Sequence, residues 1–154
     1  DQLGNIDART SFSNLEIDHA TNLELHSEYD NYEIGDIIDF DLEAQFSNIE
    51  IDLLKGSLKG DVSYTGFEID EVSAGFTSIY FDGEMGGIEL EFENGASYGY
   101  DLYSSMGDVD MSCDCENTKE EIRDHHKHVI GVKGKKPENR TVHIKVTYGE
   151  IELD

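Results

Sequence analysis

Apolar and polar residues alternate in short runs along nearly the whole chain. Leu15-Glu16-Ile17, Tyr32-Glu33-Ile34 and Ile49-Glu50-Ile51 are apolar-acidic-apolar triplets, each preceded by an asparagine and each 17 residues after the last. A second series, Leu23-Glu24-Leu25, Phe40-Asp41-Leu42 and Leu58-Lys59-Gly60, runs half a period out of step. Side chains alternate across a strand, so every triplet reads as a short strand with its flanking apolar pair turned inward and its central residue turned out. The outward markers of the first series are Glu16, Glu33, Glu50, Glu68, Glu89 and Asp110, with steps of 17, 17, 18, 21 and 21; those of the second are Glu24, Asp41, Lys59, Tyr80 and Asp101, with steps of 17, 18, 21 and 21. The two series lengthen together, so both belong to one coil that carries two strands.

This pattern predicts an all-β chain folded as a parallel β-solenoid of about seven coils of 17–21 residues, right-handed by the usual crossover rule. It is either a flattened two-sided roll or a β-helix. Strands every eight or nine residues also suit an antiparallel meander or sandwich. The solenoid is preferred because it stacks like residues directly over one another. The longer coils coincide with Gly83-Glu84-Met85-Gly86-Gly87 and Asn94-Gly95-Ala96-Ser97, read as turns holding the extra residues. The period stops at Cys113 and the strand pattern returns at Val142-His143-Ile144-Lys145-Val146 and Ile151-Glu152-Leu153. The expectation is one domain over 1–154: regular coils over 1–112, a polar insertion or loop over 113–140, and a closing coil over 141–154. Thr118-Lys119-Glu120-Glu121 matches a helix capping box and predicts at most a short surface helix. Asp1–Thr10 and Glu150–Asp154 are the candidates to cap the coil ends.

Charge changes the picture of partners. The chain has 35 acidic and 11 basic residues, a net charge of -24. Only Arg9, Lys55 and Lys59 are basic before residue 119, so the coils carry essentially all the negative charge. Such a body repels nucleic acid and anionic lipid and leaves cations and basic partners. No run reaches the length of a membrane span and no basic-then-apolar leader opens the sequence, as expected of a mature or trimmed chain. Eight Tyr and seven Phe in an alternating pattern argue for a folded protein rather than a disordered polyanion.

With these strands and the ending Tyr148-Gly149-Glu150-Ile151-Glu152-Leu153, the chain resembles a bacterial family of adhesin domains found in secreted or envelope-attached proteins. The resemblance covers most of the chain outside 113–140 and rests on strand and turn geometry. It implies a β-solenoid exported to the cell surface, the outer membrane or the periplasm, with no catalytic residues.

Candidate chemistry is sparse. Stacked coils would align Glu16, Glu33, Glu50, Glu68, Glu89 and Asp110, continued by Glu152, into an acidic ladder. Neighbouring carboxylates at one strand spacing repel by about 0.9 kcal/mol even at the dielectric constant of water. The plain reading is a solvated face; a calcium site or a surface for a basic partner is the functional one, with Asp18, Asp52, Asp70 and Asp82 as supplementary oxygen ligands near the turns. Cys113, Cys115, His125, His126 and His128 form the one soft-ligand group, at spacings that match no standard zinc module, and the two cysteines are alternatively a disulfide or free thiols. Tyr80 and Tyr103 fall on outward positions and are candidates for stacking on a glycan. Asn139-Arg140-Thr141 is a glycosylation sequon by pattern. Carboxylates recur by repeat rather than gathering at a pocket, so no enzyme is expected. The expected role is a surface that engages an unknown protein or glycan at the cell envelope, the alternatives being a calcium-stabilised or glycan-binding module and a structural module that associates through its coil ends.

Overall fold

The computed structural model describes residues 3–112, 115–135 and 139–154, all of them strand, turn or irregular backbone with no helix. The strands are β1 Leu3–Ser11, β2 Asn14–Glu28, β3 Asn31–Gln45, β4 Asn48–Ser63, β5 Gly66–Val72, β6 Ser78–Glu84, β7 Ile88–Phe92, β8 Tyr98–Ser105, β9 Val109–Met111, β10 Cys115–Arg123, β11 His126–Lys133, β12 Thr141–Thr147 and β13 Ile151–Leu153. They form a parallel β-solenoid. Strands β2, β3 and β4 each run through both walls of the coil, bending at one corner without a turn, which makes the body a two-sided roll.

One wall stacks Glu16 on Glu33, Glu33 on Glu50, Glu50 on Glu68 and Glu68 on Glu89, all parallel and in register. We call it the acidic wall. The opposite wall begins with β1 on the second half of β2 and continues through β3 and β4 to β6. Between the walls the inward residues close into one narrow core, including Leu25, Ile37, Ile49, Ile51, Leu54, Ile69 and Leu90, none with measurable exposure. At the level of β1 that core is open: Ile6, Ala8 and Ile17 are half-buried and Leu15 is exposed.

Five turns follow one another in chain order. The order then breaks. Strand β12 pairs with β6 on one side and β8 on the other, and β13 lies in the same way between β7 and β9. The C-terminal coil is therefore inserted between two earlier coils. It is not the end of the stack, which corrects the expectation that Glu150–Asp154 caps a terminus. Its inward residues Val142, Ile144, Val146, Ile151 and Leu153 are all fully buried, and His143, Lys145 and Glu152 alternate with them on the outer faces, as at the other levels.

The excursion is also different from its expectation. Residues 115–133 form an antiparallel hairpin, β10 against β11, with β11 antiparallel to β8. Thr118–Glu121 lies in β10 rather than in a helix. A helix there would have had almost no apolar face to bury, whereas β11, itself paired to the edge of β8, offers β10 a backbone ladder. The hairpin supplies the cap. Lys127 reaches past the last strand of the acidic wall and donates to the Asp108 carboxylate at 2.9 Å and to the Val109 carbonyl at 2.6 Å. Strand β10, the outer edge, carries a register shift after Asn117 and the charges of Lys119, Glu120, Glu121 and Arg123, devices that discourage further pairing.

The extra residues of the longer coils sit at one corner only, in Ser73–Thr77 and Glu93–Ser97. Phe76 and Ala96 fold inward there, each closing a tight turn by bonding the carbonyl three residues back. Gly83, by contrast, lies within β6, and Gly86 and Gly87 occupy the same register as Thr65 and Gly66.

Candidate interaction surfaces

The acidic ladder is assembled as the repeat requires, with one change of order. Glu152 stands between Glu89 and Asp110, because the C-terminal coil is inserted at that level. Its carboxyl is pushed above the usual range, first by the charge of Glu89, with Asp154, Asp110 and Glu150 adding to it. Glu89, Glu152 and Asp154 each bring a ligand oxygen within 4.8 Å of the others, the one group among the described residues with the reach to hold a cation. The remaining ladder carboxylates, Glu16, Glu33, Glu50, Glu68 and Asp110, are exposed. Asp18, Asp52 and Asp70 lie on the same wall. Asp82 does not: it is on the opposite wall, 3.9 Å from Lys145.

The opposite wall is mixed rather than acidic where the inserted coil enters it. His143 and Lys145 come between Tyr80 and Asp82 on one side and Asp101 and Tyr103 on the other. Tyr80 is exposed, and its ring lies 5.8 Å from that of His143. Tyr103 hydrogen-bonds His126 at 2.8 Å, and Asp101 is held by His128 at 2.7 Å with His143 3.8 Å away. A shallow groove of about 380 Å³ lined by Asp41, Lys59, Tyr80, Asp82, His143 and Lys145 crosses this wall. The two tyrosines do face outward, as read from the sequence, but Tyr103 already has a polar partner.

Among the described residues, the soft-ligand group is not brought together. His126 and His128 sit at the tip end of the hairpin, paired with Tyr103 and Asp101, and His125 lies in the turn. Cys115 pairs with Lys133 at the far end, roughly 17 Å along the strand from His128, and is disulfide-bonded rather than a thiolate. Cys113 lies outside the described residues.

A third surface escaped the sequence reading. At the corner between the walls the turn residue has positive φ in every coil: Phe12, Tyr29, Phe46, Tyr64, Met85, Tyr148 and Met106, at 51–60°. All seven are exposed. Their amides bond the neighbouring coil, Phe12 to Glu28, Tyr29 to Gln45, Phe46 to Ser63, Tyr64 to Glu84, Met85 to Thr147 and Tyr148 to Ser105, so they form one continuous row. The first four rings stack nearly parallel, with centroids 4.9, 4.9 and 4.7 Å apart. Ring faces are thus used within the row, and ring edges and methionine side chains face solvent. Residues 12, 29, 46, 64, 85 and 106 advance by 17, 17, 18, 21 and 21, the drift of the coil itself; that was the available signal. Beside the row, the next residue changes from Ser13, Asp30, Ser47 and Thr65 to Gly86, Gly149 and Gly107. A Cβ on Gly149 would run into the carbonyl of Gly86, and one on Gly107 into that of Gly149, so the inserted coil is seated by backbone approach that only glycine allows.

The chain matches no protein-family model, no curated protein and no solved structure. No helix among the described residues is long and apolar enough to cross a membrane.

Proposed function

We propose that this protein is a non-enzymatic binding module, an adhesin-type domain exported to a bacterial cell surface or periplasm, whose rigid acidic wall engages a cationic partner. The observation that carries the reading is the ladder of seven outward carboxylates held in register at strand spacing. Like charges so placed repel, and a partner that neutralises several at once recovers that repulsion as binding energy. A solenoid wall also lacks the mobile loops whose ordering a partner would have to offset. The disulfide at Cys115 fits an oxidising compartment, in line with export.

The test compares two variants of equal net charge. Glu33→Lys, Glu50→Lys and Glu68→Lys together change the acidic wall; Asp41→Lys, Asp61→Lys and Asp82→Lys together change the opposite one. Binding of a lysine oligomer, followed by titration calorimetry at fixed salt, should fall at least tenfold for the first and far less for the second. Equal losses would mean that net charge alone, and no particular face, drives binding.

The carboxylate group of Glu89, Glu152 and Asp154 favours one second reading, a calcium-stabilised surface. Thermal unfolding in chelator and in millimolar calcium or magnesium at constant ionic strength separates the two readings. A rise specific to calcium, lost in Glu152→Gln, supports the second; equal response to both ions reduces it to screening.

A further inference from the structure

The C-terminal coil occupies a slot that the rest of the chain builds before it. Strands β6 and β7 form one lip, β8 and β9 the other, and both lips come from residues 78–111. Between them the connector Glu93–Ser97 passes over a level that is left for residues 141–153. While that level is empty, the slot presents open parallel edges on both walls, two facing each other on each. Its complement is specific. It requires three inward apolar residues on one wall and two on the other, supplied by Val142, Ile144, Val146, Ile151 and Leu153. At the corner it requires a residue without Cβ, supplied by Gly149 between Gly86 and Gly107.

Nothing in this complementarity depends on the coil belonging to the same chain. The coil enters and leaves at one corner: Gly99 bonds the Arg140 carbonyl at the entrance, and Phe92 and Leu90 bond Asp154 at the exit. Strand β11 ends at Lys133 and β12 begins at Thr141, two strand spacings away, so seven residues join them, a length that extends to about 23 Å. We propose that this coil exchanges between copies. The slot of one molecule takes residues 141–154 of a second copy of the same chain, and the second slot takes the first molecule's coil, giving a closed two-fold dimer with every native pairing kept. Such a dimer would carry two acidic walls on one body and gain avidity for a repetitive partner without any new contact.

The prediction concerns chains that fill the slot while folding, so it is tested by refolding the full chain. Refolded at near-millimolar concentration, the protein should yield a species of twice 17.3 kDa by light scattering, absent after refolding at low micromolar concentration and persistent when diluted afterwards. Its origin is read from Tyr80→Cys/His143→Cys, a pair that faces across β6 and β12. In an exchanged dimer the 80–143 disulfide joins two chains, visible as a covalent dimer on a non-reducing gel and confirmed by peptide mapping. Monomer at both concentrations would overturn the proposal. So would a wild-type dimer whose counterpart in the variant holds the 80–143 bond within one chain, since such a dimer forms elsewhere. Should the double variant not fold, refolding a mixture of isotope-labelled and unlabelled wild-type chains gives the same decision: peptides crosslinked between β12 of one label and β6 or β8 of the other appear only on exchange.

Discussion

At Phe12, Tyr29, Phe46 and Tyr64 the corner row sets two local effects against each other. A side chain with Cβ pays about 1–2 kcal/mol to hold the left-handed backbone that glycine or asparagine adopts easily. Phe46 sits there at φ 51° yet stacks on Tyr29 on one side and Tyr64 on the other, each contact contributing about 0.5–1.5 kcal/mol. The aromatic identity is thus explained by the neighbours above and below and not by the turn. It follows that Phe46→Ala loses both stacks while keeping the strain, and should lower stability by about 2 kcal/mol in urea titration. Phe46→Gly loses the same stacks but relieves the strain, and should be the more stable of the two by about 1 kcal/mol. That order is the reverse of the usual strand preference. Alanine proving the better substitute would show that the backbone, relaxed without the ring, leaves the left-handed region.

Among elements, the acidic wall is a set of parallel strands held together by inward Ile, Leu, Phe and Tyr against repulsion on the outer face. Glu50 has a carboxylate neighbour on each side, Glu33 and Glu68. Glu50→Gln removes two repulsive pairs and should raise stability by up to about 1 kcal/mol at low salt, after screening and rotamer freedom reduce the bare Coulomb value. The gain should shrink in half-molar salt; a loss of stability at low salt would mean that a cation or a hydrogen bond at Glu50 outweighs the repulsion. This wall was legible in the sequence because the repeat fixes both register and facing: once Glu16, Glu33 and Glu50 advance by a constant step, their stacking follows. Three other features were not. Val142-His143-Ile144-Lys145-Val146 reads as a coil at any level, since every level asks for the same alternation, so its insertion between β6 and β8 was invisible. Phe12, Tyr29, Phe46 and Tyr64 are residue types expected inside, and only their phase, three to four residues before each acidic triplet, separates them from the core. Thr118–Glu121 satisfies a local helix rule that pairing with β11 overrides, and the histidines beside it, a weak soft-ligand candidate with no standard zinc spacing, are held away from Cys115 by the same pairing.

Over the whole molecule, the two kinds of carboxylate pull stability in opposite directions as pH falls. Glu152 has a raised pKa because Glu89 and its other acidic neighbours disfavour its charge. It therefore destabilises the fold while ionised, and that penalty is relieved as pH falls from neutral through its raised value. Asp30 is the opposite case. Burial works against its charge, but hydrogen bonds from Thr10, the Ser13 amide, Ser27 and the Glu28 amide outweigh burial and hold its carboxyl below the usual range. The stability it contributes is complete above the unfolded value of about 4 and is lost as pH falls through the lower folded value. Asp108, held low by its bond from Lys127, and Asp36, held low by Lys55, act in the same sense. Stability should therefore rise on mild acidification from pH 7, pass a maximum and then fall steeply below about pH 4, with Glu152→Gln flattening the rise and Asp30→Asn flattening the fall. Urea midpoints measured across this range decide it. A profile that declines steadily from pH 7 would mean that the ladder's repulsion is already neutralised at neutral pH, which is what a tightly held cation at Glu89, Glu152 and Asp154 would do; repeating the series in chelator then tells the bound cation from a ladder relaxed by its own side-chain rotamers.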